Sequence, residues 1–378
     1  MRLRKRLSAV LLIVAIVAAA CGDDADTAPG DDPPSSADTD GSTAGSGPDA
    51  PAEEAIDDPG PTPEIEEGPK ATLTGLPADA ELAAAPAVVV KVSNNDDRSL
   101  AALIGLERAD LVIEERIEDR ATRFAAVYHS DLPELVGPVR SARTTDLDLL
   151  RNLGTPILVF SGANIPVMGQ LRDLALEGSV VLVVNDDSET YHYRDPDFAA
   201  PDNLFTAPAL VAADFVEAAG AARPVVSFRA ADTDTRPASI LGTGFTVEGR
   251  DTVSFVHVDE LGYVRVQDEA VHVTRDGPAL VVTNVVVMET VYVPNADDAQ
   301  SIDAVTVGEG PVNVLIGGRR WEGTWSRATA DDPYVFRNAD GAEILLEPGK
   351  TWLTLVPADS YGFSVDAEIS DLVAEASR

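Results

Sequence analysis

Cysteine is almost absent from this 378-residue chain, and Cys21 is the single one. No disulfide can form within the chain. Histidine is nearly as scarce: His129 and His192 stand alone, and His257 and His272 complete the four. Zinc needs three or four His, Cys or carboxylate ligands at suitable spacing, so no metal site is expected, and nothing asks for another cofactor. Positive charge is short as well, with 28 Lys and Arg against 64 Asp and Glu and a net charge of −36. Such a surface repels phosphate backbones, which argues against nucleic acid as a partner. The acidic runs lack the D-x-D-x-D-G spacing of a calcium loop. Gly242-Thr243-Gly244 is too little for a phosphate loop. No nucleophile-elbow signature supports a triad drawn from Ser141, His129 and Asp146.

What the chain does have begins with Arg2, Arg4, Lys5 and Arg6, then an apolar run from Leu7 to Ala20, then Cys21. A basic start, a short apolar middle and small residues before a cut mark a secretory signal. The run falls short of the roughly 18 apolar residues that a spanning helix requires. It ends in Ala18-Ala19-Ala20-Cys21, similar to a bacterial lipobox except that Ala18 stands where Leu is usual. Residues 1–21 are therefore expected to be a lipoprotein signal peptide, with Cys21 lipidated and anchoring the protein to the cell membrane on its extracytoplasmic side by acyl chains such as palmitate. That use also removes the one thiol from catalysis. Residues 22–69 hold 15 acids and no Lys or Arg, among many Pro, Gly, Ser and Thr. They cannot bury enough apolar surface to offset ordering, so a disordered, self-repelling tether is expected there.

Beyond the tether, apolar strands alternate with capped helices. Pro86–Ser93 has a buried-strand pattern, Leu111–Glu118 and Ala121–His129 alternate as a hairpin, and Thr155–Phe160 and Val180–Val184 are two more buried strands. Helices are predicted from Ser99, from Ser141 to about Leu153, from Asn164 to Gly178, and from Thr206 through Pro208 to Gly220. From about Arg223 the texture becomes short Val-rich alternating runs. The class predicted is α+β overall, with an α/β layered domain at 70–222, an all-β domain (sandwich or open barrel) at 223–357 and a tail at 358–378.

Charge of both signs sits in awkward places in the first part. Glu115 shares a strand face with Leu111 and Ile113, and Arg123 shares one with Ala121, Ala125 and Val127. A charge on an apolar face needs a partner. The two either form a structural ion pair or meet a ligand. Then comes Val136-Gly137-Pro138-Val139-Arg140-Ser141-Ala142-Arg143, with two guanidinium groups three residues apart after a Gly-Pro turn. Their planar forks suit a carboxylate or phosphate, which Asp146 or Asp148 could also supply from within. In the β region, Trp321, Trp325 and Trp352 are read as core aromatics rather than a sugar-stacking platform.

Several stretches in order resemble the YerB-like bacterial lipoproteins, a family with a two-part domain of unknown function. They are Ala109–Glu115, Thr122-Arg123-Phe124, Val136–Arg143, Tyr193-Arg194-Asp195, Ala200–Thr206, Asn284–Val287, Gly323-Thr324-Trp325 and Gly349–Trp352. The resemblance runs from about Pro86 to Pro357 and implies location and architecture, with no activity to import. It departs at Asp202, where a His is expected before the Asn-Leu pair. Together these features suggest a membrane-anchored lipoprotein that binds an anionic small molecule or cell-wall fragment. The candidate site is Glu115, Arg123, Arg140, Ser141, Arg143, Tyr193, Arg194, Asp195 and Asn203, drawn into one cleft. An envelope glycan or peptide hydrolase using Glu115 with Asp146 or His192 is the alternative, and a protein-protein scaffold of the cell envelope a third reading.

Overall fold

The computed structural model describes residues 68–94, 96–185, 189–230, 237–275, 277–298 and 301–376. Cys21, the expected signal peptide and the expected tether as far as residue 67 lie outside the described residues. Residues 65–378 make one compact unit.

The first part contains strands β1 (Val88–Asn94), β2 (Leu111–Arg116), β3 (Thr122–Tyr128), β4 (Ile157–Phe160) and β5 (Val181–Val184), then a ribbon of β6 (His192–Arg194) and β7 (Leu204–Thr206). Five helices accompany them: α1 (Ala80–Ala84), α2 (Asp97–Ala102), α3 (Thr145–Arg151), α4 (Ile165–Leu176) and α5 (Pro208–Phe215). Local chemistry accounts for their ends. Asp96 and Ser99 form a reciprocal capping box on α2. Asn164 accepts from the Val167 amide to start α4, with Pro166 in its first turn. One expected boundary differs: Ser141 caps nothing, and α3 begins four residues later at Thr145. The residues between are engaged in strand-like bonds, described below, which hold them out of helical geometry.

The second part is strand-rich, as its alternation predicts. In order come β8 (Ile240–Leu241), β9 (Gly244–Glu248), β10 (Thr252–Val258), β11 (Gly262–Gln267), β12 (Ala270–Val271), β13 (Val281–Val282), β14 (Asn284–Glu289), β15 (Tyr292–Pro294), β16 (Ile302–Ala304), β17 (Gly308–Ile316), β18 (Arg319–Arg327), β19 (Val335–Arg337), β20 (Thr351–Val356) and β21 (Tyr361–Gly362). Helix α6 (Ala367–Ala376) follows within the expected tail. Pattern alone did not indicate where these strands pair. Five of them, β19-β18-β17-β14-β20, continue the sheet of the first part, in the order β20-β2-β3-β1-β4-β5, and β8 joins through β18. The join is the parallel pair β2 and β20, with Leu111 opposite Thr351 and Ile113 opposite Leu353. The two sequence regions therefore share one hydrogen-bonded sheet, while β9–β13 and β21 form a second, six-stranded one.

Two cores lie on the two faces of the main sheet. On one, Val89, Ile113, Val127, Leu158, Val286 and Leu353 pack with Leu149 of α3 and Leu171 of α4. On the other, Val90, Val112, Phe124, Val159, Val285 and Trp352 pack with Val211 of α5 and with Phe245 and Phe255 of the second sheet. All three tryptophans are buried, Trp352 at 1 % exposure, which makes them core. Trp352 ties the sheets together: its ring meets Phe124 edge-on at 5.2 Å and Phe255 at 5.6 Å, and its indole N–H donates to Glu114 at 2.9 Å. Truncating it would leave a cavity and strip Glu114 Oε2 of its indole donor. We expect Trp352→Ala to lose about 3–5 kcal/mol of unfolding free energy in urea titrations, and a loss below about 1 kcal/mol would contradict this placement.

Candidate functional site at the carboxyl edge of the sheet

Strands β1, β2, β4, β5, β14 and β20 all run in one direction, because β1 is parallel to β4, β4 to β5, and β2 to β20 and β20 to β14, while β3 runs against both β1 and β2. Their carboxyl ends lie along one edge. From β1 the chain goes to β2 and β3 on one side and then to β4 and β5 on the other, so β1 and β4 flank a topological switch point, where open α/β sheets leave a crevice. Here the crevice is occupied by the chain itself. β1 and β4 pair as far as Val90 and Val159. Past that point the Pro138–Ala142 segment enters between them. The Ser93 amide donates to the Pro138 carbonyl at 3.0 Å and the Arg140 amide to the Lys91 carbonyl at 2.8 Å. On the other side the Ser161 amide donates to the Arg140 carbonyl and the Ala142 amide to the Gly162 carbonyl, both at 3.0 Å. Gly137, joined to Pro138 by a cis peptide bond, must be glycine. A Cβ there would sit 2.5 Å from the Phe205 ring and 2.9 Å from the Leu204 carbonyl of β7.

This wedge holds Arg140 and Arg143 at the edge and closes over a buried polar network. Lys91, on β1, points to the same face as Val89 and lies 2.7 Å from Glu115 Oε1 and 2.7 Å from Asp146 Oδ1, all three at most 1 % exposed. Asp146 also accepts from the Arg143 amide at 2.7 Å, which fixes the first turn of α3 against the wedge. Arg143 itself forks onto Glu118 at 3.1 and 2.9 Å. Arg140 binds Asp202 at 2.9 Å. Arg123 is buried and donates to the Ser141 carbonyl at 3.1 Å. Four cations, Lys91, Arg123, Arg140 and Arg143, thus face four carboxylates, Glu115, Glu118, Asp146 and Asp202.

The balance is uneven in detail. Burial, then repulsion from Arg143 and Arg140, pulls the Arg123 guanidinium down to about 9 against the support of Glu115 and Glu118, so it stays cationic at neutral pH while its neighbours crowd it. Burial, with Asp146 adding to it, holds Glu115 above the ordinary carboxylate range in spite of Lys91. Burial alone would raise Glu118 too, but the hydrogen bonds and charge of Arg143 more than offset it and leave its pKa lowered.

The predicted site residues fall into two groups. Glu115, Arg123, Arg140, Ser141 and Arg143 belong to this network. Glu115 and Arg123 are opposite each other across β2 and β3, yet the hydrogen bond of Glu115 goes to Lys91. Tyr193, Arg194, Asp195 and Asn203 are instead on or beside the β6–β7 ribbon, with Arg194 bonded to Asn203 at 2.8 Å and Asp195 to Arg275 at 3.1 Å. Asp195 also accepts from the Asp197 amide at 3.0 Å. The ribbon is tied to the edge by backbone bonds of Leu204 and Thr206 to Val139 and Val136 and by the side chain of Asp202, one residue before Asn203. The proposed hydrolytic pair, Glu115 with Asp146, is brought together, but both carboxylates are out of solvent and share one ammonium. His192 is buried on β6. Three participants were missed. Lys91 shows in the sequence as a lone lysine in a valine run, Glu118 stands in the hairpin turn, and Asp202 is marked there only as a departure from the family pattern.

The first stretch of the chain, residues 73–222, matches the profile of the DUF3048 N-terminal domain, and residues 246–353 match that of the DUF3048 C-terminal domain, both described as proteins of unknown function. The chain belongs to the DUF3048 family. A relative in Bacillus subtilis, YerB, described by name as a lipoprotein, is 26 % identical over 302 residues, covering 76 % of this chain and 86 % of YerB. The crystal structure of YerB superposes with a TM-score of 0.65 at 24 % identity, covering 78 % of this chain and 99 % of that one, which shows a shared fold. The DUF3048 boundary at residue 222 falls where the texture changes in sequence, and the sheet runs across it.

Two expectations follow for the network. Lys91→Met leaves Glu115 and Asp146 facing each other without a cation, and should cost about 3–5 kcal/mol in chemical denaturation; a neutral result would mean the pair is not sealed. Glu118 has a lowered pKa, so its share of stability is present above its ordinary value of 4.5 and is lost as pH falls through the folded value. Glu118→Gln should therefore flatten the fall of Tm with pH below about 4.5, and an acid limb as steep as wild type would refute the assignment.

Proposed function

We propose that this chain is a lipid-anchored extracytoplasmic protein that binds an anionic small molecule or cell-wall fragment at the carboxyl edge, with Arg140 and Arg143 as the gripping groups. The anchor rests on the leader ending at Cys21 and on the lipoprotein description of YerB. One observation carries the ligand reading: the wedge holds two guanidinium groups, each with a side chain 19 % exposed, beside a third that is buried and crowded by them, at the switch point of a parallel sheet. Ser141 and Ser161, with hydroxyls 3.5 Å apart, stand next to them as neutral hydrogen-bonding groups.

Asp202 and Glu118 occupy these arginines in the absence of ligand. A carboxylate or phosphate of the ligand would take the place of one of them, keeping the charge balance while adding contacts of its own. Asp202 is the weaker holder, since Arg140 reaches it through a single nitrogen, whereas Arg143 grips Glu118 with two. A hydrolase is less well supported, because Glu115 and Asp146 have no access to a glycan, and a scaffold that used the Trp-bearing β region as its contact surface is less well supported too, because all three tryptophans are buried.

The test is a thermal-shift screen of the full chain in detergent against muramyl peptides and phosphate-bearing glycan fragments. Arg140→Ala should weaken any hit by about tenfold or more, and Asp202→Asn, which removes the internal competitor, should strengthen it. Equal binding by wild type and Arg140→Ala would overturn the proposal.

A further inference from the structure

Most of the described arginines in this acidic protein have an oxygen partner. Among the described residues, four make no side-chain hydrogen bond or ion pair: Arg116, Arg120, Arg172 and Arg250. Arg172 stands alone on the exposed side of α4. The other three line a single cleft, on the opposite face of the sheet from the wedge. Its walls are the β2–β3 turn, the β9–β10 turn and the end of β20, and the two turns are tied together by the Arg250 amide donating to the Arg120 carbonyl at 2.9 Å.

Three cations that make no side-chain hydrogen bond or ion pair line one place, so an anion bound between them would be held by all three. Carboxylates do lie close by, but two are engaged elsewhere. Glu114 accepts from Arg265 at 3.0 Å, Thr122 at 2.8 Å and Trp352 at 2.9 Å, and Asp251 accepts from Gln267 at 3.1 Å. Glu248, the third, forms no ion pair with any of the three arginines. A second feature is a buried acceptor at the cleft wall. Asn94, buried at 1 %, lines the cleft, donates through Nδ2 to Thr122 at 2.7 Å and leaves Oδ1 without a partner. That atom is an acceptor in want of an O–H or N–H.

The size of the cleft narrows the ligand. Its cavity measures about 30 Å³, room for two water-sized centres at ~10–15 Å³ each, which admits one tetrahedral oxyanion and excludes a sugar ring or a peptide. We infer that this cleft is a second anion site, which binds a phosphate group. Arg116, Arg120 and Arg250 supply the charge, and the Asn94 carbonyl accepts from the phosphate hydroxyl. A phosphate ion and the terminal phosphoryl group of a larger molecule share this chemistry.

The experiment is a titration of the full chain in detergent with orthophosphate and, separately, with glycerol phosphate, following Tm at ionic strength held constant with sodium chloride. A saturable rise is expected for at least one of them. The stronger of the two tells a free ion from a phosphoryl group at the end of a larger molecule. Arg120→Ala and Arg250→Ala, both at exposed positions that leave the core intact, should each raise the half-saturating concentration by about tenfold, while Arg172→Ala, an exposed cation in neither site, should leave it unchanged. No saturable rise with either anion, or half-saturation unaffected by Arg120→Ala and Arg250→Ala, would overturn the inference. So would a loss that follows Arg140 instead.

Discussion

The Lys91 ammonium, held between Glu115 and Asp146 with no access to water, is the interaction on which the candidate site depends. It joins three segments far apart in sequence: the middle of β1, the end of β2 and the first turn of α3. A lysine buried in a valine-rich strand would be prohibitive alone, and two carboxylates at one point would repel. Together they satisfy each other. Asp146, once fixed, accepts the Arg143 amide, and so determines where the wedge ends and α3 begins. The failure of Ser141 to cap a helix is a consequence. Its neighbours are already committed to hydrogen bonds with β1 and β4.

The second constraint is the parallel pairing of β2 with β20. It turns two regions of different texture into one sheet and aligns the carboxyl ends of six strands along a common edge. Chemistry then collects there for a geometric reason: the edge is where turns leave the sheet, and where Arg, Ser and Asn side chains can stay near water while their backbones are held rigid. One face of this edge carries Arg140 and Arg143 ion-paired with their internal carboxylates, and the other carries Arg116, Arg120 and Arg250, which make no ion pair. The contrast between ion-paired and unpaired arginines separates the two candidate sites physically, even though both touch the β2–β3 hairpin.

Much of the fold was legible from side-chain pattern. The hairpin of Leu111–Arg116 and Thr122–Tyr128, the capped helix from Asn164, the change to short strands after residue 223 and the burial of the tryptophans all follow from period, capping and turn chemistry. These are local properties, encoded within a few residues. The site was legible only in part. Glu115 and Arg123 stood out as charges on apolar faces, and they do lie opposite each other, but a strand pattern shows which residues share a face and says nothing of what the next strand in the sheet brings.

What the sequence by itself determined is the acidic character, the basic and then apolar start up to Cys21, the alternation of elements and the list of charges that require partners. Only the tertiary structure decided the partners. Arg140 has Asp202 and Arg143 has Glu118, while Glu115 and Asp146 both belong to Lys91. The Tyr193-Arg194-Asp195 stretch went with Asn203 and Arg275. The physical reason is that an ion pair in a folded chain is chosen by strand order and by which segment fills the crevice at a switch point. Both are set by packing across hundreds of residues, and neither leaves a mark on the residues next to the charge.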